Sequence, residues 1–187
     1  MAEAKRKKRF FEVDMPLIGK TAHLQAYEPE EIEGKTIKYD LTRLLKGKNV
    51  LLYLKVRKNG KEFTAHPAKI EIIHSSLTRI VRKGTDYVED SFVAECKNGT
   101  LRIKPFLITR RKVHKSVRKA LRNKAREELT NYVKEKDSDA IFEDLMRNQI
   151  QKNLSLSLKK IYPLSACEIR ILEVVKSSPV VSEEKKE

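Results

Sequence analysis

Tryptophan is absent from this 187-residue chain, and cysteine occurs only twice. Cys96 and Cys167 are too few for a disulfide scaffold and lack the CxxC spacing of a metal site. Each sits in an apolar, strand-like pattern, so both read as small buried hydrophobes in a reducing cytosol. Long hydrophobic runs are missing too. No stretch approaches the roughly eighteen apolar residues of a membrane span. Met1 to Arg9 is basic, but no apolar run of about seven residues follows it, so no signal peptide is expected. Nor is there a phosphate-binding glycine loop, an HExxH or a GxSxG. The four histidines, His23, His66, His74 and His114, are scattered without ligand spacing. Acidic pairs such as Glu30-Glu31 and Asp137/Asp139 read as loop and helix-start residues. The expectation is a protein without catalytic residues, metal or cofactor. An RNA-processing nuclease is disfavoured because it would need a carboxylate or histidine cluster.

What is abundant is positive charge. The chain carries 41 basic and 26 acidic residues, a net +15. The excess is concentrated. "RRKVHKSVRKALRNKAR", residues 110 to 126, holds nine Lys or Arg and no acid, and residues 1 to 9 carry +4. The rest of the chain sums to +2. Such patchiness points to a polyanionic partner. Apolar residues make up 40% of the sequence, and a chain of this length buries about two-thirds of its unfolded surface, so a real core is expected.

The first half reads as strands. In "NVLLYLKVRKNGKEFTA", Leu52, Leu54 and Val56 alternate with Tyr53, Lys55 and Arg57, and Asn59-Gly60 offers the positive φ angles of a tight hairpin. Asn98-Gly99 repeats the device between Tyr87–Lys97 and "TLRIKPFLIT". Thr21–Tyr27, Thr36–Leu41 and Pro67–Ile73 are further strand candidates. Pro67 and Pro105 should mark edges or bulges, because proline cannot donate to a ladder. "SSLTRIVRKG" predicts a short helix with a serine cap, Leu77, Ile80 and Val81 on one face, and Gly84 as its stop.

After residue 110 the period changes. Arg111–Val133 predicts a helix. "DSDAIFEDLMRNQI" predicts another, capped by Asp137 or Ser138, with Ile141, Leu145 and Ile150 on one side. "NLSLSLKKI" fits strand or helix, and the stripe Ile150, Leu154, Leu158, Ile161 favours helix; Pro163 ends it. Cys167, Ile169 and Ile171 then alternate with Glu168, Arg170 and Leu172 in a last strand, with Ile169 and Ile171 facing inward. Strands first, helices grouped later and one strand at the end is the α+β pattern.

At 100° per residue, Arg111, Lys112, Lys115, Arg118, Lys119, Arg122 and Arg126 fall in one arc of about 120°, about 22 Å long. Val113, Val117, Ala120 and Leu121 lie roughly opposite. Like-charged neighbours on a helix cost about 0.2–0.5 kcal/mol each. An ordinary solvated helix therefore interleaves Glu with Lys, whereas here the first acids, Glu127 and Glu128, follow the stripe. The pattern favours nucleic acid over an acidic protein, a membrane surface or a solvated face, with charge supplying affinity and no sequence readout. Beyond Arg126, Leu129, Tyr132 and Val133 rotate onto the formerly charged side. Either the helix packs on different elements at its two ends, or it bends. Phe10, Phe11, Tyr27 and Tyr53 could stack on bases. Core packing is the plainer role, with Phe10 and Phe11 the exceptions.

The order of motifs resembles the small-subunit ribosomal protein family of archaea and eukaryotes traditionally called the "three-a" family (e-type protein one). "KKRFFEVDMP" follows the basic arm, "FVAECKNGTLRIKPFLITRRK" leads into the basic helix, and "KKIYPLSACEIRILEVVK" closes the domain. The likeness covers Lys7 to Lys176. Members usually carry Trp-Tyr in place of Phe10-Phe11, and an Asp-Leu-Thr-Arg run in place of "SSLTRIVRKG". The long eukaryotic tails are missing, which suggests a compact archaeal-type member. The resemblance implies a partly closed antiparallel β-barrel flanked by helices, with the C-terminal strand returning to the sheet. It implies a structural, non-catalytic protein on the cytoplasmic ribosome. Its place would be the small-subunit platform near the messenger exit, against the 3′ region of the ribosomal RNA and neighbouring small-subunit proteins, with messenger RNA as a further contact. An RNA- or DNA-binding factor acting off the ribosome is the alternative. The expected organisation is a flexible basic arm (1–9), one RNA-binding domain (10–176) and a disordered tail (177–187). The expected RNA-binding residues are Lys5, Arg6, Lys7, Lys8, Arg9 and Phe10 of the arm, and Arg110, Arg111, Lys112, Lys115, Arg118, Lys119, Arg122 and Arg126 of the basic segment.

Overall fold

A computed structural model describes residues 7–45, 48–60 and 62–177. Among these residues nine strands form one sheet: β1 (Arg9–Met15), β2 (Lys20–Ala26), β3 (Thr36–Asp40), β4 (Val50–Asn59), β5 (Glu62–Ile72), β6 (Tyr87–Glu89), β7 (Phe92–Cys96), β8 (Gly99–Thr109) and β9 (Leu164–Ser177). The helices are α1 (His74–Ile80), α2 (Lys115–Lys134), α3 (Ser138–Met146) and α4 (Gln149–Lys159). The sheet runs β2-β1-β5-β9-β8-β6, with β4 and then β3 on the other edge of β5, and β7 beside β8. The fold is α+β as expected, and the last strand does return to the sheet, between β5 and β8. No ladder among the described residues closes the sheet, which agrees with a barrel only partly closed. One feature differs from an all-antiparallel sheet. One pair is parallel, with Val13 and Asp14 of β1 beside Phe63 and Thr64 of β5. A parallel neighbour needs a long crossover, here supplied by β2 to β4.

Both prolines sit at bulges. Pro67 pairs with Leu54 while Lys69 pairs with Tyr53, leaving Ala68 as the extra residue. Pro105 pairs with Ile169 while Lys104 pairs with Ile171, leaving Arg170 extra. The second bulge inverts the alternation of β9. Ile169 is buried as expected, but beyond Arg170 it is Leu172, 1% exposed, that faces the main core beside Ile103 and Ile70. Ile171, 8% exposed, pairs with Lys104 and Glu71 and lies outside that core. A strict period of two misassigned the strand, because an extra residue moves every later side chain to the other face.

The hairpin turns are also offset by one position from their Asn-Gly pairs, the first later and the second earlier. Asn59 pairs with Glu62 and stays in the strand, leaving Gly60 with φ 62° in the turn. Cys96 pairs with Gly99, so Lys97 and Asn98 make the second turn, and Asn98 has no positive φ. The expected serine cap of α1 is absent: Ile73 occupies the cap position without a side-chain bond, and both serines lie inside the helix. Gly84 takes φ 86° in the turn before β6, four residues beyond the end of α1.

The 137–150 stretch is not one helix. It breaks at Asn148, whose φ of 58° is the left-handed conformation that asparagine tolerates better than most residues. The Arg147 N–H donates to the Glu143 carbonyl and the Asn148 N–H to the Leu145 carbonyl, closing α3. Ile150 therefore starts the buried stripe of α4 with Leu154 and Leu158, and the helical reading of that leucine-serine run holds. Cys96 and Cys167 are both unpaired and pack on the core, and burial pushes the Cys167 thiol up to about 12.

Leu172→Ala should lower unfolding stability in urea by about 2–5 kcal/mol, as for a full leucine cavity. Ile171→Ala should cost less. Equal losses would show that the β9 inversion is wrongly placed.

Candidate nucleic-acid interface

The helix carrying the basic stripe begins at Lys115, not Arg111. Thr109, fully buried, explains the delay. Its N–H donates to the Asp86 carbonyl at 2.9 Å, and its hydroxyl accepts from the Asp86 N–H at 3.1 Å. That hydroxyl also lies 2.7 Å from the Arg111 carbonyl, the group that would otherwise accept from Lys115 in a longer helix. The Asp86 carboxylate takes the Val113 N–H at 2.9 Å. Residues 110 to 113 are thus held as a linker, and the helix opens at His114, whose Nδ1 accepts from the Ser116 N–H. Arg110, Arg111 and Lys112 lie exposed on this linker.

The remaining stripe residues, Lys115, Arg118, Lys119, Arg122 and Arg126, span about 17 Å of helix. All but the half-buried Arg118 are exposed. Among the described residues, none of these eight cations is in an ion pair. The Arg126 guanidinium stands 5.5 Å over the Phe92 ring of β7. Lys124, which lies off the stripe, pairs instead with Glu127 and Glu128 at 3.0 and 3.2 Å, and hydrogen bonding to Glu127 first holds its pKa up. Acids neutralise the cation beside the stripe and leave the stripe itself unanswered.

The buried row of α2 is Leu121, Ala125, Leu129 and Val133. Ala120, expected on the apolar side, is exposed. A spacing of four drifts about 40° per step on a helix turning 100° per residue. The row therefore crosses the helix diagonally, and α2 packs on β6, β7 and α4. The drift accounts for the rotation of apolar positions beyond Arg126, because the buried row itself moves around the helix. At the C-terminal end, Tyr132 donates to Asp144 of α3 at 2.7 Å, and Lys136 bonds to both, at 2.8 and 2.6 Å. Burial pushes the Asp144 pKa upward, but the bonds from Lys136 and Tyr132 outweigh it and leave it lowered; the bond to Asp144 raises that of Lys136.

The N-terminal group is only partly described. Lys5 and Arg6 lie outside the described residues. Lys7 and Lys8 are exposed, and Lys8 stands 5.4 Å from the Tyr27 ring centre. Arg9 and Phe10 belong to β1 rather than to a free arm. Phe10 is 67% exposed, whereas Phe11 packs edge-on against Phe63 at 6.1 Å. Tyr27, expected in the core, is 44% exposed. The two basic regions are not brought together, since β5 and β9 separate β1 from β8.

Strand pairing also assembles a row that sequence reasoning missed. Lys38, Tyr53, Lys69, Glu173 and Arg102 lie side by side across β3, β4, β5, β9 and β8. The ammonium groups of Lys38 and Lys69 stand 6.0 and 5.3 Å from the Tyr53 ring centre, and Arg102 reaches Glu173 at 3.5 Å. Each lysine looked like ordinary outward alternation within its own strand, and only the register joins them. Arg82 and Lys83 likewise lie in the turn that delivers Asp86 to Thr109, beside the basic linker. Among the described residues no group of His, Cys, Asp and Glu is placed to hold a metal ion.

The sequence pattern of the Ribosomal S3Ae family matches residues 2–178. The chain is 31% identical over 170 residues to the small ribosomal subunit protein eS1 of Nanoarchaeum equitans, covering 84% of each protein. It is 26% identical over 163 residues to the protein of the same name from Pyrobaculum islandicum, covering 84% of this chain and 73% of that one. Against the Saccharolobus islandicus protein it is 26% identical over 156 residues, covering 81% and 75%.

Asp86→Ala should unlock the linker. The Val113 amide should lose its protection from hydrogen exchange while Leu121 and Ala125 keep theirs, and stability should fall by about 1–3 kcal/mol, the loss from leaving one donor without its charged acceptor. Unchanged exchange at Val113 would show that the carboxylate does not hold the linker.

Proposed function

Because the chain belongs to the Ribosomal S3Ae family, whose members are structural proteins of the small ribosomal subunit rather than enzymes, we propose that ribosomal RNA lies along α2 and its preceding linker. The chain works as a structural component of the small subunit, on the ribosome in the cytoplasm. The observation that carries the RNA reading is the set of cations without an ion pair among the described residues, all but the half-buried Arg118 exposed: Arg110, Arg111 and Lys112 on the linker, and Lys115, Arg118, Lys119, Arg122 and Arg126 on the helix. Arginine and lysine on a rigid support fit a phosphate backbone, and releasing the RNA's counterions supplies the affinity.

In this reading, residues 10–176 act as one RNA-binding domain. Lys5, Arg6, Lys7, Lys8 and Arg9 form a second RNA contact, beside which Phe10 offers an exposed ring; of the expected tail at 177–187, Ser177 ends β9 and residues 178–187 lie outside the described residues. The proposed location is the platform near the messenger exit, against the 3′ region of the small-subunit RNA and neighbouring proteins, with messenger RNA within reach.

Replacing Lys115, Lys119 and Arg122 together with Gln keeps helix propensity nearly unchanged. Binding to a 3′-domain fragment of small-subunit RNA should weaken. The log–log slope of affinity against salt should flatten by roughly two to three units, at about 0.7–0.9 per phosphate contact. Weaker binding with a fixed slope would mean these residues act through structure, and no change at all would leave α2 a solvated face.

A further inference from the structure

At the edge of the core, where Leu77 and Phe106 reach the surface, the short helix α1 leaves a cleft of about 330 Å³ against β6 and β8. Leu77, Thr78 and Val81 form one wall, and Tyr87, Glu89 and Phe106 the other. The walls follow from the strand pairing. Val88 of β6 faces Leu107 and is buried, which turns its neighbours Tyr87 and Glu89 to the opposite face with Phe106. Tyr87 is 54% exposed, yet its ring is backed by Phe106, with centroids 5.9 Å apart and planes 24° from parallel. One face of the tyrosine is therefore stacked and fixed while the rest of the ring stays open. Glu89, the acid of the cleft, is matched by Arg170 at 3.6 Å.

The cations nearest in the chain point to the occupant. Tyr87 directly follows Asp86, whose backbone and carboxylate hold Thr109 and Val113 and so fix Arg110, Arg111 and Lys112. The turn before Asp86 adds Arg82 and Lys83, both exposed. An apolar slot with a rigid, open aromatic ring, and five exposed cations in the two segments that Asp86 ties together next to Tyr87, suits a planar base attached to a phosphate chain better than an apolar protein side chain. Aromatic rings accept unpaired bases by stacking, with little regard to which base is present. We infer that this cleft takes one unpaired nucleobase of the RNA against the Tyr87 ring, while Arg110 to Lys112 hold the adjoining phosphates. This deepens the RNA-binding reading and rests on it. It also assigns the fixed linker a second task, which is to set the strand at the height of the cleft.

The test measures affinity and salt slope for the same 3′-domain RNA fragment with Tyr87→Ala, Tyr87→Leu and Tyr87→Phe, alongside the helix variant with three glutamines. Tyr87→Leu keeps Phe106 covered, so a lost fold in the alanine variant does not decide the outcome; thermal unfolding checks both. Ala and Leu should each weaken binding roughly tenfold to a hundredfold, the loss of one stacked base, with the salt slope unchanged. Phe should bind like the wild type. If Leu binds as tightly as Tyr, the ring only covers apolar surface and the inference fails. If Ala and Leu both bind normally while the glutamine variant flattens the slope, the cleft inference fails and the RNA reading stands. If Ala and Leu bind RNA normally but enter small subunits poorly, the occupant is a protein side chain and the inference also fails. A wild-type protein that does not bind the fragment overturns both.

Discussion

The diagonal row Leu121, Ala125, Leu129 and Val133 is the contact on which the rest of the interface depends. A helix bearing five cations that no described acid pairs gains nothing from its own surface charges, and in isolation their repulsion works against it. Burying the row on β6, β7 and α4 supplies the missing stability. The tie of Tyr132 and Lys136 to Asp144 fastens the far end, and the lock of Asp86 on Thr109 and Val113 fastens the near end. Between these fixed points the cations are displayed on a rigid rod. The protein therefore meets its partner already ordered here, and little conformational entropy is lost on binding.

The charge layout explains why repulsion is tolerated. Acids are not scarce around α2; Glu127 and Glu128 stand one turn away and neutralise Lys124. They are placed off the stripe, so the polyanion is left as the stripe's counter-charge. The sheet follows the same division. On its outer face, Lys69 and Arg102 are answered by Glu71 and Glu173, which makes that surface closer to neutral than its lysine count suggests. A near-neutral body with charge held on α2, its linker and the N-terminus suits a protein seated between RNA and protein neighbours.

Much of this was legible in the sequence, and the failures share a cause. The strand alternation of Leu52, Leu54 and Val56, the bulges at Pro67 and Pro105, the stripe of α4 and the free cations of α2 are local properties, and local pattern located them. What went astray was set by long-range bonds. The start of α2 is decided by Thr109 and Asp86, 23 residues apart. The inversion at Leu172 is decided by a bulge against β8, and the parallel pair by the crossover from β1 to β5. The break at Asn148 was the subtler miss: asparagine in a helical pattern is a weak signal, and it becomes decisive only where the chain must turn from α3 to α4. The Tyr87 cleft was hidden for the same reason, since one of its walls is made only when the β6–β8 ladder sets Glu89 beside Phe106.

The claim that matters most is that the linker and α2 face RNA on the small subunit. Lysine acetylation footprinting, read by mass spectrometry on the free protein and on purified small subunits, tests it directly. Lys112, Lys115 and Lys119 should react readily in the free protein and be strongly protected in the subunit, by more than the exposed hairpin lysine Lys58. Equal reactivity of the three lysines in both states would contradict the account, because a phosphate-bound ammonium group is not free to react.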